Sequence, residues 1–582
     1  MIPLQARRAR HAARSSAGPP ARRLPRAGDL LAVAVLIVEA GVIEFFLRQL
    51  LTKPFYYDEA SRAYELALGS RFLAHLNTAA APLPLGWVGI ETAARLVLGD
   101  TEAALRAPMF AALPLLAVAT YLLARRWVGV AVSFCLAAAL LANLWIINCG
   151  LQLKSYSYEA LFAVVAVGLY LLARRTTWRT GSLLGLYAAL GLTCVFSLPN
   201  LFVVVPLLAL DLVRALRDRD RDQTAPRITG QAAAGAIALA HYALFVRPQS
   251  GVASTAFFQA DYAPHGLAAF ARFTLQGLES YVPSTITGIV GATTATPSYA
   301  LPPAAHGLLA VGMVILLAAG VVAAARDAAG RALLAATGGA LLLELAGSVA
   351  DRWPFGLIRV NIFVLPLLYI LGGMGAVWLA RQLLGPERAN GQALAAWRAA
   401  GIGVAALVLV LTGATAGIAT AHGLAETSQV QAQPSIFGGV KAAVANARAS
   451  AAPDDLVIIR ADRSPPDWYA APWLYYMNYY QGYPAKVARL PRIPARNAIA
   501  VVYVTPRAVD RFLAAHPGSP AIYLLEFNFP GYRFPRWAHQ ESLRTLRRFG
   551  YCPVTDTAYQ ATGHLTVLEP GCSKTSARPK TR

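Results

Sequence analysis

The stretch "FYYDEASRAYELA", Phe55 to Ala67, places two adjacent carboxylates, Asp58 and Glu59, a few residues after a long apolar run. A charge costs roughly 2.5 to 3.5 kcal/mol at the centre of a membrane span and less at its edge. If the preceding run crosses a membrane, the acidic pair marks the point where the chain leaves it. The composition favours that reading. Of 582 residues, 56% are hydrophobic and only 14% charged, against roughly 25% charged in soluble domains. The net charge of +22 would suggest a nucleic-acid partner in a soluble protein, but it lies mostly between apolar runs. Its distribution is a topology signal instead.

Crossing roughly 30 Å of hydrocarbon at 1.5 Å per residue takes about 20 residues. By that measure the spans are 30–50, 105–124, 127–147, 157–173, 181–197, 199–213, 229–247, 304–325, 332–350, 360–380 and 401–421, about 11 transmembrane helices. With the N-terminus cytoplasmic, Arg125, Arg126, Arg174, Arg175, Arg214, Arg217, Arg326, Arg331 and Arg381 all fall inside, as the positive-inside rule requires. Residues 1–28 then form a flexible basic cytoplasmic tail with no secretory-signal pattern. The module 29–421 exposes its first outer loop, 51–104, on the extracytoplasmic side, and so too all of 422–582. In that loop "DEASRAYELALGSRFLAHL" and "PLPLGWVGIETAARLVLG" have the apolar spacing of helices lying in the membrane interface.

Beyond residue 422 the composition shifts. "DDLVIIRAD" and "AIAVVYVT" read as strands, and "SIFGGVKAAVANARAS" and "PRAVDRFLAAH" as helices, so a small α/β domain with a disordered basic end is expected. The aromatic run "WYAAPWLYYMNYYQGYP" fits core packing better than stacking on sugar rings. Cys552 and Cys572 are placed to form a disulfide if the domain is extracytoplasmic. No Cys/His cluster has the spacing of a metal site, so no metal and no cofactor is expected.

Three segments carry charge where apolar helices would be cheapest without it. Asp58 is open to two readings, an N-cap of the first interface helix, with Glu59 favouring the helix N-terminus, or a general base facing a cavity. In "NCGLQLKSYSYEALFA", Lys154, Tyr156, Ser157 and Glu159 stand at the outer end of a span. Lys154 is either a snorkelling lysine or a phosphate contact. In "DRWPFGLIRVNIFVLP", Arg359 opens a span on the outer side, either paired with Asp351 or a headgroup, or binding a phosphate through its guanidinium fork.

The order of these elements resembles the GT-C superfamily of integral-membrane glycosyltransferases. It is most similar to the bacterial branch of protein O-mannosyltransferases and lipid A aminoarabinose transferases, which is glycosyltransferase family 39-like. The resemblance rests on "YDE" after the first span, "LR.P" at Leu105, Arg106 and Pro108, "K.YS.E" from Lys154 to Glu159, and "PFGLIR...F.LP" from Pro354 to Pro366. It covers roughly residues 30–540.

The resemblance implies an inverting transfer of a sugar from a polyprenyl-phosphate donor to an acceptor hydroxyl at the extracytoplasmic face of the plasma (inner) membrane. Asp58, with Glu59 beside it, matches the catalytic position, and Lys154, Tyr156 and Arg359 the donor-phosphate contacts. Arg106, Glu159 and Gln152 stand as supporting positions. Gln152 replaces an acid common in relatives, and Glu159 an aspartate. The acceptor is an envelope glycan, glycolipid or protein. The alternative is a transporter or flippase for a lipid-linked sugar, in which the same cations bind phosphate and nothing is catalysed; a scaffold acting through the C-terminal domain is a third reading.

Overall fold

The computed structural model of the protein describes residues 27–55, 57–74, 76, 82–150, 152–174, 180–217, 221–249, 258, 261–286, 303–383, 438–460, 466–481, 497–501, 503–527, 536–559 and 563–571. The chain opens with helix α1 (Ala27–Thr52), followed by three helices of the first loop, α2 (Tyr57–Leu68), α3 (Ser70–Ala74) and α4 (Leu85–Leu98). Next come α5 (Glu102–Leu141), α6 (Leu144–Gly150), α7 (Tyr156–Ala173), α8 (Thr180–Phe196), α9 (Asn200–Arg217) and α10 (Arg221–His241). Helix α10 runs on through a π-turn at Tyr242–Val246. The module continues with α11 (Leu267–Ile286), α12 (Pro303–Arg326), α13 (Ala328–Val349) and α14 (Leu365–Leu383).

Among the described residues five helices are long and apolar enough to cross a membrane: 102–141, 156–173, 224–249, 328–349 and 362–382. The expected span 401–421 and nearly all of the 1–28 tail lie outside the described residues. The count of eleven is therefore not carried by the described chain. The expected spans 105–124 and 127–147 stay distinct: Glu102–Leu141 is two helical stretches that meet at a sharp break in place of a loop. It falls at Gly129, whose φ of 77° and ψ of 178° suit a residue without a Cβ. The short "FSLPNLF" connection does separate two helices, since α8 ends at Phe196 and α9 begins at Asn200.

Ion pairs and hydrogen bonds gather the arginine-rich turns at one end of the bundle. Arg125 meets Asp29 at 2.7 Å, Trp127 donates to Asp327 at 2.9 Å, and Arg174 meets Asp211 at 2.9 Å. The first-loop helices, the 150–155 turn and the 351–361 loop lie at the opposite ends of the same helices.

The C-terminal domain comprises α15 (Gly438–Ser450), β1 (Leu456–Arg460), α16 (Pro466–Asn478), β2 (Ala498–Val501), α17 (Pro506–Ala515), β3 (Ile522–Phe527), α18 (Arg536–Arg548), β4 (Tyr551–Tyr559) and β5 (Gly563–Pro570). Its mixed sheet has the order β2-β1-β3-β5-β4, with β1 parallel to β2 and β3, and β5 antiparallel to β3 and β4. Side chains alternate across a strand. Val457 and Ile459 therefore join the core that continues into the membrane module, while Leu456 and Ile458 join a second core with Val509, Phe512 and Leu546. Burial on both faces goes with the apolar run Leu456 to Ile459 of β1. Cys552 is disulfide-bonded; Cys572, the partner expected from the sequence, lies outside the described residues.

Trp473, Tyr475 and Tyr476 are buried on α16, in line with core packing. That helix docks against α2: Tyr476 OH accepts from the Phe55 amide at 2.7 Å, and the Tyr64 and Tyr479 rings lie 5.9 Å apart. Beside it, Glu102 at the start of α5 takes Lys441 at 2.8 Å and the hydroxyl of Tyr480.

Candidate active site

Helix α2 begins at Tyr57, so Asp58 and Glu59 both lie in its first turn, with Asp58 inside the helix and not in the capping position before it. Two carboxylates there suit the positive end of the helix dipole. Adjacent residues on a 3.6-residue helix diverge by about 100°. The pair accordingly splits.

Glu59 turns inward. Its carboxylate accepts Arg106 Nε at 2.9 Å and Nη2 at 2.7 Å, and also the Leu153 amide at 2.9 Å. The Arg106 Nη1 donates to the Leu51 and Lys53 carbonyls at 3.2 and 2.6 Å, and the guanidinium stacks 4.7 Å from the centre of the Phe55 ring. Both side chains are about 5% exposed. This bidentate clamp closes α1, α2 and α5 onto one another and fixes the 150–155 turn. Glu59 and Arg106 are thus placed as a clasp.

Asp58 turns the other way. Lys154 Nζ meets its Oδ2 at 2.7 Å, and its side chain keeps 33% exposure. Among the described residues Oδ1 takes no hydrogen bond. Burial by itself would raise the carboxyl's pKa. The charge and hydrogen bond of Lys154, with Arg62 and Arg359 behind them, outweigh it and hold Asp58 below the ordinary aspartate range. For Lys154 burial opposes the charge, but Asp58 and Tyr156 outweigh it and the pKa is raised. Both groups are therefore ionised at neutral pH.

The "K.YS.E" segment is a tight turn entering a helix. The Lys154 amide donates to the Gln152 carbonyl at 2.7 Å, so the main chain of Gln152 shapes the turn that presents the lysine. Lys154 Nζ lies 5.5 Å from the centre of the Tyr156 ring. Ser155 Oγ donates to Glu159 Oε1 at 2.6 Å, and the Glu159 amide donates to the Ser155 carbonyl at 2.8 Å. Glu159 is buried at the base of the turn and supports it.

Arg359 arrives from a loop held on two sides. Gly356 has φ 76°, and a Cβ there would lie 2.5 Å from Gly277 Cα on α11. Asn361 is fully buried, accepting from Trp353 Nε1 at 2.6 Å and donating to the Pro354 carbonyl at 2.9 Å. The Arg359 guanidinium lies 6.0 Å from the centre of the Phe258 ring, and its charge reaches Asp58, Lys154 and Tyr156 alike. Asp351 is exposed, at a left-handed turn with φ 52°.

The structure thus brings Asp58, Lys154, Tyr156 and Arg359 together, and sets Glu59, Arg106, Glu159 and Gln152 behind them. Arg62, Glu102, Asp261 and Phe258 were not singled out in the sequence. Arg62 had a signal, since it stands four residues after Asp58 on one helix and shares its face. Asp261, which feels the charge of Arg359, had none.

No family model and no curated protein matches this sequence. Solved structures do. The crystal structure of ArnT from Cupriavidus metallidurans bound to undecaprenyl phosphate aligns over 92% of this chain and 97% of that one, with TM-score 0.53 and 12% identity. Its apo state aligns over 93% and 99%, with the same score and identity. The archaeal oligosaccharyltransferase AglB from Archaeoglobus fulgidus, in complex with an inhibitory peptide and a dolichol-phosphate, aligns over 95% of this chain and 75% of its own, at TM-score 0.42 and 12% identity. At that identity the likeness is one of fold: the chain has the fold of the two ArnT structures. The protein is a membrane protein of that fold class.

Proposed function

We propose that the protein is an inverting glycosyltransferase that moves a sugar from a polyprenyl-phosphate donor to an acceptor hydroxyl at the extracytoplasmic membrane face. The observation that carries this reading is the Asp58–Lys154 pair at 2.7 Å, open on one carboxylate oxygen and within the field of Arg359. The fold likeness to a transferase crystallised with undecaprenyl phosphate agrees with it. The basic turns gathered at the far end of the bundle agree with a cytoplasmic N-terminus and an outward-facing site.

In this mechanism the acceptor oxygen attacks the anomeric carbon from the face opposite the phosphate. The bond from that carbon to the phosphate oxygen breaks, and polyprenyl phosphate leaves with the electron pair. The hydroxyl proton passes to Asp58. The transition state is oxocarbenium-like, as in glycoside hydrolysis, and the departing phosphate needs cations more than a proton donor. Lys154 and Arg359 supply them.

The depressed pKa makes Asp58 a poor base while Lys154 holds it. A donor phosphate competes for the same ammonium, and sharing Lys154 returns basicity to Asp58. Donor binding in this way prepares the base for the acceptor, so an acceptor alone meets a carboxylate still engaged by lysine.

The test is transfer from a panel of labelled polyprenyl-phosphate sugars to envelope extract, in membranes holding wild type or Asp58→Asn at equal expression. Transfer by wild type alone, with equal melting of the two proteins, supports the proposal. Equal transfer by both proteins removes Asp58 from the chemistry. Donor translocation by both without transfer points to a lipid-linked sugar carrier.

A further inference from the structure

The face of the C-terminal sheet turned away from the membrane module carries a second constellation. It is invisible to sequence spacing because its members come from four elements. Register builds it: Glu526 on β3 and His564 on β5 are direct antiparallel partners, and Asp556 on β4 stands opposite Thr566, two residues along from His564. Helix α18 covers this face and delivers His539. The donor atoms of Glu526, His539 and His564 all lie within 4.8 Å of one another.

The hydrogen bonds orient these groups toward one point. Asp556 Oδ1 lies 2.7 Å from His564 Nε2, and its Oδ2 lies 3.4 Å from His539 Nε2. Both Nδ1 atoms thereby face Glu526 Oε2, at 2.5 Å for His539 and 4.0 Å for His564. The other oxygen of Glu526 is occupied, accepting Ser542 Oγ at 3.1 Å with Arg460 at 3.6 Å. A carboxylate at the outer nitrogen of a histidine is the outer-shell arrangement of histidine metal sites. The 2.7 Å contact of Asp556 fixes the His564 tautomer and leaves its inner nitrogen as a lone pair, while His539 makes its hydrogen bond through Nδ1 to Glu526. For His564 this sets a lone pair against a carboxylate oxygen. Two acceptors facing each other need a cation between them.

We propose that Glu526 Oε2, His539 Nδ1 and His564 Nδ1 bind one divalent transition metal of the zinc class, with Asp556 as the orienting carboxylate. Imidazole and carboxylate donors suit Zn²⁺ better than Ca²⁺ or Mg²⁺, which take oxygen cages. Zinc needs donors at roughly 2.0 to 2.2 Å, so small side-chain rotations close the site. His564 and Asp556 are 23% and 28% exposed, which gives the ion a way in, and Glu526 at 2% forms the floor. The metal would tie α18 to β3 and β5. This proposal stands independently of the glycosyltransferase reading.

The experiment uses full-length protein in detergent, without a histidine tag, stripped with a chelator and then titrated with Zn²⁺. The readouts are calorimetry, bound metal per chain and melting temperature. One equivalent should bind and raise the melting temperature. His539→Ala/His564→Ala should abolish that equivalent, and Asp556→Asn should weaken it roughly 10- to 100-fold. Co²⁺ in wild type should give the visible absorption of a nitrogen- and oxygen-ligated ion, a readout that does not depend on the variants folding. No saturable binding by wild type, or an equivalent that survives in the folded double variant, would overturn the proposal and leave the cluster as a protonated histidine clasp.

Discussion

Asp58 and Asp211 are both carboxylates met by a cation, at opposite ends of the same helical module, and their surroundings differ in kind. Asp211 is fully buried, with Arg174 at 2.9 Å, Gln231 at 2.8 Å and the Tyr187 hydroxyl all donating to it. Among the described residues Asp58 has one ion-pair partner, Lys154, and a third of its side chain is exposed. A buried charge surrounded by donors is a finished structural unit. One with a single movable partner and an open oxygen can still accept something. That difference separates a clasp from a candidate catalytic group better than burial or charge alone.

The comparison can be broken most directly at its two aspartates. Asp58→Asn should lower turnover by roughly 10²- to 10⁴-fold with little change in melting, measured by labelled-sugar transfer beside a thermal scan. Next in size, Glu59→Gln should act in the opposite sense, leaving the buried Arg106 uncompensated at a cost of about 3 to 5 kcal/mol. The readout is loss of folded protein before any change in turnover per folded molecule. Asp211→Asn should cost about 1 to 3 kcal/mol and leave turnover within a few-fold, and a large loss of turnover with intact folding would erase the contrast.

The smallest effect concerns pH. Because the folded pKa of Asp58 lies below its ordinary value, its ionised form persists across the neutral range. Activity that needs it is lost only as pH falls through that depressed value, and the stability from its pairing with Lys154 fades over the same acid window. Arg62→Gln removes one of the charges lowering the pKa, so the acid limb of the rate profile should move upward by a fraction of a pH unit.

Much of this site was legible because charges inside apolar sequence are costly: Asp58, Lys154 and Arg359 each announced themselves where lipid-facing helices would avoid them. The division of labour between Asp58 and Glu59 was not, because neighbouring residues read alike until a helix turns them apart and Arg106 arrives from 47 positions away. Strands β1 and β2 stood out as β-branched runs, whereas β3 to β5 carry Glu526, Asp556 and His564 among their apolar residues and gave no clean period. Gly129 looked like one more small residue in a helix. Its positive φ breaks the helix at a point that the run of apolar residues does not mark.

The contact between Phe55 and Tyr476 spans 421 positions of chain. A ribosome completes the acidic helix long before it makes the aromatic buttress that holds that helix. The growing chain therefore carries that helix without its buttress while the helical module between them is being made.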